Sequence, residues 1–423
     1  MNRCTFFGFM RRAAYRAAVL AAALALLAGC GVLGLNAPEP VEIRFTYIDE
    51  GVDYPSLVEI FQREHPNINV VLDTVPAGGQ AVGDLTSRAV DADAVRAFPN
   101  EDVSRISMVL DGMVSTDEHF ARDDFFAGSL ETLTIDGKLV GLPAGLDPFV
   151  VFYLPEKFAA AGVPVPGPDW TLEEFVTTAM AIHNTDEAVI NTERYTYGLC
   201  THPQMPDLAL FTYLYGGGIF GDDILNANPT LNLPENVEAV AWYASLSNDF
   251  GLMPKGDISR GLGPMLYRRS CGFWVDFMVE SLFGNDMPLD DAQMLPLPTY
   301  NARFNIATQQ AYFITASSEH PEEAYQWIRF LMGEQSAAGA MIPPLRSIIA
   351  SETYALTAPA PVAAVARSLP PETVIIGLET TDDQRFSRAM QLFARATERV
   401  IEDGIDPQMA LDEAQMELEQ ETD

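Results

Sequence analysis

The chain has 423 residues, of which 48% are hydrophobic and 10% are aromatic, and this composition excludes wholesale disorder. Because the chain is longer than those that ordinarily fold around a single hydrophobic core, we expect two lobes or domains. The 59 acidic and 25 basic residues give a net charge of −34. A field of this sign repels nucleic acids and anionic membranes, so we expect no DNA or RNA binding.

The N-terminus has the pattern of a secretory leader. Three arginines, Arg11, Arg12 and Arg16, form a positive stretch before an apolar run. That run, Ala17 to Ala28, is too short to span a membrane as a mature helix. The pattern therefore predicts an exported protein whose leader is removed.

The end of the leader, Leu27-Ala28-Gly29-Cys30, is similar to the lipobox of bacterial lipoproteins. It predicts a signal peptide of residues 1–29, cleavage before Cys30, diacylation of the Cys30 thiol, and a tether of residues 30–40. The alternative is an uncleaved anchor in which Cys30 is an unmodified small residue. We therefore expect an extracytoplasmic protein that is lipid-anchored to the bacterial cell membrane.

The next segment predicts a strand, a helix and a second strand. Val41–Tyr47 is the first strand, and Ser56 with Glu59 has the capping-box pattern of a helix start. The turn His65-Pro66-Asn67 ends that helix before the strand Ile68–Leu72. A βαβ unit of this kind predicts a largely parallel sheet. The elements predicted next are a helix and a strand, Val82–Val90 and Ala94–Phe98.

The chain then enters a segment rich in turn signals. Asp136-Gly137 is a turn pair between two strand-like pieces, and Pro143, Gly145 and Pro148 punctuate the apolar run after it. These residues favour a chain that crosses between two bodies and argue against a single strand. The elements expected after the crossing are the strand Phe149–Tyr153 and a helix from Leu172 behind the capping box Thr171–Glu174.

The second half of the chain continues to alternate between strands and helices. Gly216–Gly218 stops an apolar helix, and it fails as a phosphate loop because no Gly-Lys-Ser or Gly-Lys-Thr follows. Two further crossings are marked by Pro296 with Pro298 and by Pro343-Pro344. The predicted strands are Tyr195–Cys200, Asn228–Asn232, Ser270–Phe277 and Tyr312–Thr315. The predicted helices are Asp207–Tyr215, one from Pro234, one opened by His320-Pro321, one ending at Gly404 and one after Asp406-Pro407.

The order and spacing of these elements resemble the extracellular solute-binding proteins of ABC importers, of the sugar-binding, maltose-binding-protein-like family 1. The resemblance rests on the His65-Pro66-Asn67 turn and on the crossover segments. It implies an α/β, two-lobed periplasmic-binding-protein-like fold of type II, with an interlobe cleft and hinge crossovers. The implied lobes are residues 41–145 with 299–345 for lobe 1, and residues 146–298 with 346–423 for lobe 2.

The positions of the four cysteines predict different roles for them. Cys4 leaves with the leader and Cys30 takes the lipid, so Cys200 and Cys271 remain. In an extracytoplasmic compartment these two can pair. Spacing alone cannot establish a disulfide, so a bridge and two separate buried thiols both stay open.

Catalytic signatures are missing from the sequence. The five histidines are scattered and form neither a HExxH motif nor a closely spaced ligand set, and there is no Gly-x-Ser-x-Gly elbow. Adjacent acidic pairs such as Asp123-Asp124 are typical of a solvated surface in so acidic a chain. We therefore expect no enzyme, no cofactor and no metal site. The alternative is a glycoside hydrolase with two catalytic carboxylates.

The resemblance implies two ligand-binding residues. Trp274 matches the family's Gly-x-Trp segment, in which an aromatic ring stacks on the sugar, and the alternative is a tryptophan of the core. Asp147 occupies the crossover position where the family places an acid that binds sugar hydroxyls. For Asp147 the alternative is a solvated carboxylate at the hinge.

Position along the strands suggests further candidates. Tyr47 and Asp49 follow the first strand and Phe98 ends a similar one, and loops at the carboxyl ends of parallel strands face ligand clefts. Asp207 begins the helix that leads to the glycine run, and Arg346 lies near the third crossing. The alternatives are a core position for Phe98 and a surface ion pair for Arg346.

These observations predict a monomeric lipoprotein that captures a small solute, a sugar above all, between its lobes. Its partners would be an ABC permease and separate ATPase subunits, because the chain has no nucleotide-binding motif. The alternatives are a lipid-tethered carbohydrate-active hydrolase and a sensory ligand-binding receptor. A monosaccharide, an oligosaccharide, a polyol and a polyamine all stay open as the solute.

Overall fold

The computed structural model describes residues 40–184, 195–201, 207–219, 229–253, 263–279, 289, 291–301, 303–376 and 384–422. The leader, Cys30 and nearly all of the tether lie outside these residues, as does Asn228. Among the helices of the described ranges, none combines the length and the hydrophobicity that crossing a bilayer requires.

The described strands form one mixed sheet of nine strands and a separate two-stranded hairpin. They are β1 Val41–Ile48, β2 Ile68–Val75, β3 Ala94–Ala97, β4 Thr134–Ile135, β5 Lys138–Leu139, β6 Leu142–Tyr153, β7 Tyr197–Cys200, β8 Cys271–Phe277, β9 Gln293–Leu295, β10 Ile306–Ile314 and β11 Val374–Ile375. The main path of the sheet is β2-β1-β3-β10-β6-β8-β7. β1 is parallel to both β2 and β3, which confirms the predicted parallel βαβ unit.

Helices cover the sheet and connect its strands. They are α1 Tyr54–Glu64, α2 Ala81–Ala89, α3 Glu101–Ile106, α4 Asp111–Thr116, α5 Pro155–Ala161, α6 Leu172–Ile182, α7 Asp207–Tyr215, α8 Pro234–Asn248, α9 Gly263–Tyr267, α10 Pro321–Gly333, α11 Arg346–Ile349, α12 Glu352–Thr357, α13 Ala360–Ser368, α14 Gln384–Asp403 and α15 Pro407–Thr422. The mixture of strands and helices confirms the α/β class. Within the ranges described above, helical turns of the 3₁₀ type lie at Arg122–Asp124, Glu131–Leu133 and Gln335–Ala338.

The strand β6 joins the two halves of the sheet. Its first part pairs with β10 and its second part pairs with β8 and β9, and all of its residues except Tyr153 are buried. The expectation that Pro143, Gly145 and Pro148 interrupt this strand is therefore wrong. Pro143 pairs beside a shift in register on β10, and Pro148 lies where the β10 ladder ends, so neither breaks a continuous ladder.

A glycine and an asparagine side chain let β6 continue through this region. At Gly145 an added Cβ would lie 2.9 Å from the Cβ of Met341, so glycine permits the close approach of that segment. There Leu146 and Ile342 exchange backbone hydrogen bonds of 2.8 and 2.9 Å. The Asn305 side chain accepts from the Phe149 N–H and donates to its carbonyl at 3.1 and 2.9 Å. The Asn305 amide thus replaces the hydrogen bonds that β10 makes with β6 before this point.

The short hairpin β4–β5 confirms the predicted turn. Asp136 and Gly137 both have positive φ, 50° and 73°, as a two-residue turn of the primed type requires. Thr171 and Glu174 form the predicted capping box at α6. The start of α1 is different, because Asp53 and not Ser56 is the N-cap residue. The Asp53 carboxylate accepts from the backbone N–H and the hydroxyl of Ser56 at 3.2 and 2.7 Å.

The strand predicted at Asn228–Asn232 is wrong for the residues that the structure describes. Residues 229 and 230 have irregular backbone and residues 231 and 232 form a turn, and the N–H of Leu231 donates to the side chain of Gln415 on α15 at 2.8 Å. A single buried leucine between polar neighbours, here held by a distant helix, has the same local pattern as a short strand. Local alternation alone therefore misled the prediction.

The buried apolar residues form two large clusters and a smaller third one. One large cluster combines β1–β3, the start of β6, β10 and α10. The other combines the end of β6 with β8 and with α6–α8, α14 and α15. The third contains Phe126, Leu146 and Ile342, together with residues of the middle of β6 and of α13. The exact division into residues 41–145 with 299–345 and 146–298 with 346–423 stays a prediction.

Cys200 and Cys271 form a disulfide, which decides between the two alternatives left open by the sequence. Their Cα atoms are 5.6 Å apart, on the neighbouring parallel strands β7 and β8. The bridge joins residues separated by 71 positions in the chain. A cross-link over a segment of this length restricts the unfolded chain strongly.

Replacing both Cys200 and Cys271 by alanine should lower the free energy of unfolding by about 2–4 kcal/mol, because the unfolded chain regains the freedom that the bridge removes. Urea unfolding of the two proteins measures the difference. Dithiothreitol should lower the wild-type midpoint and leave that of the double variant unchanged. An unchanged wild-type midpoint under reducing conditions would contradict the stabilising role of the bridge.

Candidate functional site

A pocket opens at the carboxyl ends of two neighbouring parallel strands. β1 ends at Ile48 and β3 ends at Ala97, and both end residues line it. The pocket itself measures about 20 Å³, and together with its open mouth it measures about 330 Å³. The complete lining is Ile48, Glu50, Val82, Leu85, Arg96, Ala97, Phe98, Asn100 and Gln310. We call it the Glu50 pocket. The edge formed by such strand ends is a common position for ligand sites in α/β proteins.

A buried arginine lies at the base of the Glu50 pocket. Arg96 is only 5% exposed, and its guanidinium donates hydrogen bonds to four neutral acceptors. They are the Gln310 Oε1, the Tyr54 hydroxyl and the backbone oxygens of Ala337 and Ala338, at 2.6, 2.8, 2.8 and 3.1 Å. Burial raises the pKa of Tyr54, so its hydroxyl stays neutral beside the cation. The positive charge is thus well bonded, but none of these four partners carries a negative charge.

The compensating carboxylate is reached through an amide. The Nε2 of Gln310 donates to both carboxylate oxygens of Glu50, at 3.0 and 2.9 Å, while the Oε1 of the same side chain accepts from Arg96. The two neighbours together fix the orientation of the Gln310 amide. We call the chain Glu50–Gln310–Arg96 the charge relay. Because a carboxylate offers about four acceptor positions, Glu50 keeps capacity to accept from a ligand.

The mouth of the Glu50 pocket is partly apolar and partly acidic. Phe98 is 40% exposed and Val82 is 57% exposed, so both present apolar surface to a ligand. A second depression shares Val82 and Asn100 with the pocket and continues along α2 and α3. Its other lining residues are Gly83, Thr86, Ser87, Glu101 and Asp102. Carboxylates, hydroxyls and an exposed aromatic ring therefore line one continuous surface.

Sequence reasoning predicted Phe98 but missed Glu50, Arg96 and Gln310. The missed signal is a polar residue inside an apolar strand. Arg96 interrupts the apolar run of β3, and Gln309-Gln310 interrupts that of β10. Long charged side chains are almost never fully buried unless they are bonded, so such residues mark a polar site.

Two predicted residues belong to β1 or lie close to its end. Tyr47 is 5% exposed, its ring centroid lies 4.3 Å from that of Tyr54, and its hydroxyl accepts from Thr74 at 2.9 Å. Asp49 is exposed at the strand end and accepts from the N–H of Gly51 at 3.3 Å. The structure therefore brings Asp49 next to Glu50, whereas Tyr47 packs in the core beneath the Glu50 pocket.

Trp274, Asp147 and Asp207 are all buried, at 0%, 3% and 5% exposure. The Trp274 ring stacks on Phe152 at 5.4 Å, which is the core position that the sequence analysis gave as its alternative. Asp147 accepts from the N–H of Val279 at 2.9 Å, so it is not a solvated hinge carboxylate. Asp207 accepts from the Thr201 hydroxyl at 3.2 Å. Ligand contact by these three residues stays a prediction.

Arg346 does not join the other candidates. It is exposed at the start of α11, and one of its Nη atoms donates to the backbone oxygen of Asp123 at 2.6 Å. It lines a separate groove that has no residue in common with the Glu50 pocket. Within the described ranges, no three His, Cys, Asp or Glu side chains cluster as the ligands of a metal ion would.

Comparisons with known proteins give two kinds of likeness. The sequence model of the bacterial extracellular solute-binding protein family matches residues 43–338. A protein of Brucella abortus strain 2308, named as a candidate binding protein, is 25% identical over 332 residues. This alignment covers 72% of the present chain and 76% of the relative.

Solved structures share the fold at lower sequence identity. An ABC substrate-binding protein from Listeria monocytogenes, in complex with cycloalternan, has a TM-score of 0.63 at 16% identity, over 91% of this chain and 99% of that one. A sugar transporter from Rhizobium etli, in an open conformation, has a TM-score of 0.62 at 19% identity, over 89% and 99%. These likenesses confirm the two-lobed α/β fold of periplasmic-binding-protein type.

The charge relay can be tested through stability. Changing Gln310→Leu should lower the free energy of unfolding by about 2–4 kcal/mol, because it leaves Arg96 without its link to Glu50. Gln309→Leu is a matched control, since the buried Gln309 amide donates only to neutral oxygens of Ser129 and Thr132, at 2.9 and 2.7 Å. We expect the control to lose about 1–2 kcal/mol. Equal losses in urea unfolding would contradict a relayed charge pair.

Proposed function

Because this chain belongs to the family of bacterial extracellular solute-binding proteins, we propose that it captures a sugar or a related small solute in the cleft between its lobes. It delivers the solute to the permease of an ABC importer. The family is extracellular, so the protein is extracytoplasmic. Separate ATPase subunits supply the energy, because the sequence has no phosphate-binding loop motif.

The observation that carries the sugar assignment is the Glu50 carboxylate, held in place by Gln310 at the ends of β1 and β3. A sugar ring offers hydroxyl groups as donors and C–H faces as apolar surface. Glu50 and Asp49 supply acceptors, and the half-exposed Phe98 supplies an aromatic surface. The binding of cycloalternan by the Listeria monocytogenes neighbour is consistent with a carbohydrate ligand.

The remaining predicted contacts require movement. Tyr47, Asp147, Asp207 and Trp274 are buried in this structure, so a solute reaches them only if a change between lobe positions uncovers them. A solute that contacts both lobes stabilises the closed form by its higher affinity for that form. Closure therefore converts solute binding into a surface that the permease can recognise. We propose that the protein acts as a monomer and without catalysis.

A thermal-shift screen of residues 31–423 against sugars, polyols and polyamines tests this function. We expect the melting temperature to rise with a sugar, because the folded state alone binds it. Glu50→Gln should weaken binding of that sugar about tenfold or more, since an acceptor charge is lost. Glu173→Gln, on an exposed position of α6, is the matched control and should bind normally.

Analysis of the recovered solute separates transport from hydrolysis. An intact solute supports a binding protein, whereas conversion into product would contradict the transport function and favour the carbohydrate-active hydrolase. A melting temperature that rises with polyamines alone would contradict the sugar assignment, but it would still support the capture of a small solute. Equal weakening by Glu50→Gln and Glu173→Gln would contradict the role of the Glu50 pocket.

We further propose that Cys30 carries the lipid that anchors the protein to the membrane. Mass spectrometry of the wild-type protein should find a diacylated N-terminal Cys30, with residues 1–29 removed. Cys30→Ala should accumulate as the unmodified precursor, because no thiol is present for the lipid. Cys4→Ala is the matched control and should be lipidated normally. A wild-type peptide that spans Gly29 and Cys30 intact would contradict the anchor.

A further inference from the structure

A second groove lies on elements that do not contribute to the Glu50 pocket. It measures about 690 Å³, its open mouth included. Its floor is apolar, since Phe126, Ala366 and Leu369 are 4%, 3% and 8% exposed. The complete lining is Phe126, Arg346, Ile349, Ala350, Ser351, Ala355, Ala366, Arg367, Leu369 and Pro371. We call it the Arg346–Arg367 groove.

The charge of this groove is opposite to that of the chain. Its ionisable lining residues are Arg346 and Arg367, and its lining includes no acidic residue, in a chain whose net charge is −34. Arg367 is exposed, and its guanidinium makes no hydrogen bond or ion pair with any residue that the structure describes. With so many carboxylates in the chain, an arginine without an anionic partner is unexpected.

The nearby carboxylate of Asp124 does not neutralise Arg346. It accepts from the N–H of Ser347 at 2.9 Å and from the hydroxyl of the same serine. Arg346 bonds instead to the backbone oxygen of Asp123, through one nitrogen of its guanidinium. A guanidinium has five N–H donors, so most of those on Arg346 are available to a ligand.

A buried hydroxyl close to Arg367 also lacks a partner. Tyr354 on α12 is 2% exposed, and its hydroxyl has no hydrogen-bond partner among the described residues. Burial raises the pKa of Tyr354 to about 12, and the positive charge of Arg367 opposes that rise. The guanidinium therefore lies near enough to act on this hydroxyl. Two residues of the same segment, Ser351 and Ala355, line the groove.

We propose that the Arg346–Arg367 groove binds a small amphiphilic carboxylate. The anionic head pairs with the two guanidinium groups, which match the geometry of a carboxylate, and the apolar body covers Phe126 and Leu369. Without its open mouth the groove measures about 300 Å³, which is the lower limit of small-molecule sites. A sugar would find no acceptor charge here, and a cation would be repelled. The proposal does not depend on the solute of the Glu50 pocket, because the two sites share no lining residue.

Titration of the full-length protein in a neutral detergent with hexanoate tests this site. Hexanol and hexylammonium serve as the neutral and the cationic analogues. Isothermal titration calorimetry should give one saturable site for hexanoate with a Kd on the order of 1 mM. We expect hexanol to bind at least about tenfold more weakly, and hexylammonium to give no saturable binding, because only the anion satisfies the arginines.

Two variants separate specific pairing from a general charge effect. Arg367→Gln should weaken hexanoate binding about tenfold or more, because it removes one of the two cations. Arg395→Gln removes the same charge from an exposed arginine on α14 that pairs with Glu417 on α15, and it should bind normally. Both changes lie on exposed side chains, and an unchanged melting temperature in each verifies folding.

Three results would overturn the proposal. The first is the absence of saturable hexanoate binding to the wild-type protein. The second is equal affinity for hexanol, since the groove would then recognise apolar surface alone. The third is an equal loss in Arg367→Gln and Arg395→Gln, which would assign the effect to net charge. Because the assay uses no sugar, each of these results is independent of the solute-binding test.

Discussion

The fold depends on one buried strand that belongs to two ladders. β6 pairs with β10 over its first part and with β8 and β9 over its second part. Each apolar cluster thus contains a portion of the same extended backbone. Since backbone groups buried away from water must find partners, the change of partner at Phe149 would leave a gap in the hydrogen bonding. The Asn305 amide fills that gap, and the strand passes from one half of the sheet to the other without a break.

The buried arginine of β3 is supported by a relay to a carboxylate. Arg96 is surrounded by neutral oxygens, and its nearest bonded route to a carboxylate passes through Gln310 to Glu50. The buried end of the relay stabilises the junction of β3 and β10, and its exposed end presents an oriented acceptor to the pocket. Stability and recognition therefore use the same three side chains. The groove with Arg346 and Arg367 reverses this arrangement, since there the cations face outward over an apolar floor.

Periodicity, caps and turn pairs were sufficient to predict most elements and the α/β class, because those signals are local. The hairpin at Asp136-Gly137 and the box at Thr171–Glu174 are examples. The predictions that were wrong concern features that depend on contacts between residues far apart in the sequence. The continuity of β6 needs Asn305 and a glycine beside Met341, and the burial of Trp274 needs Phe152 on the neighbouring strand. Of the site, Asp49 and the half-exposed Phe98 were predictable from their positions at strand ends. Arg96 and Gln310 were not, because their roles depend on the hydrogen bond that they make to each other.

The position of β10 also bears on how the chain folds. This strand inserts between β3 and β6, and its bond to Arg96 joins residues 214 positions apart. The strands β1–β3 therefore keep an open edge until β10, at residues 306–314 of 423, has been synthesised. Long-range pairing of this kind slows folding. Slow completion of the sheet suits a protein that acts outside the cytoplasm, because a chain that has not yet folded can still cross a membrane.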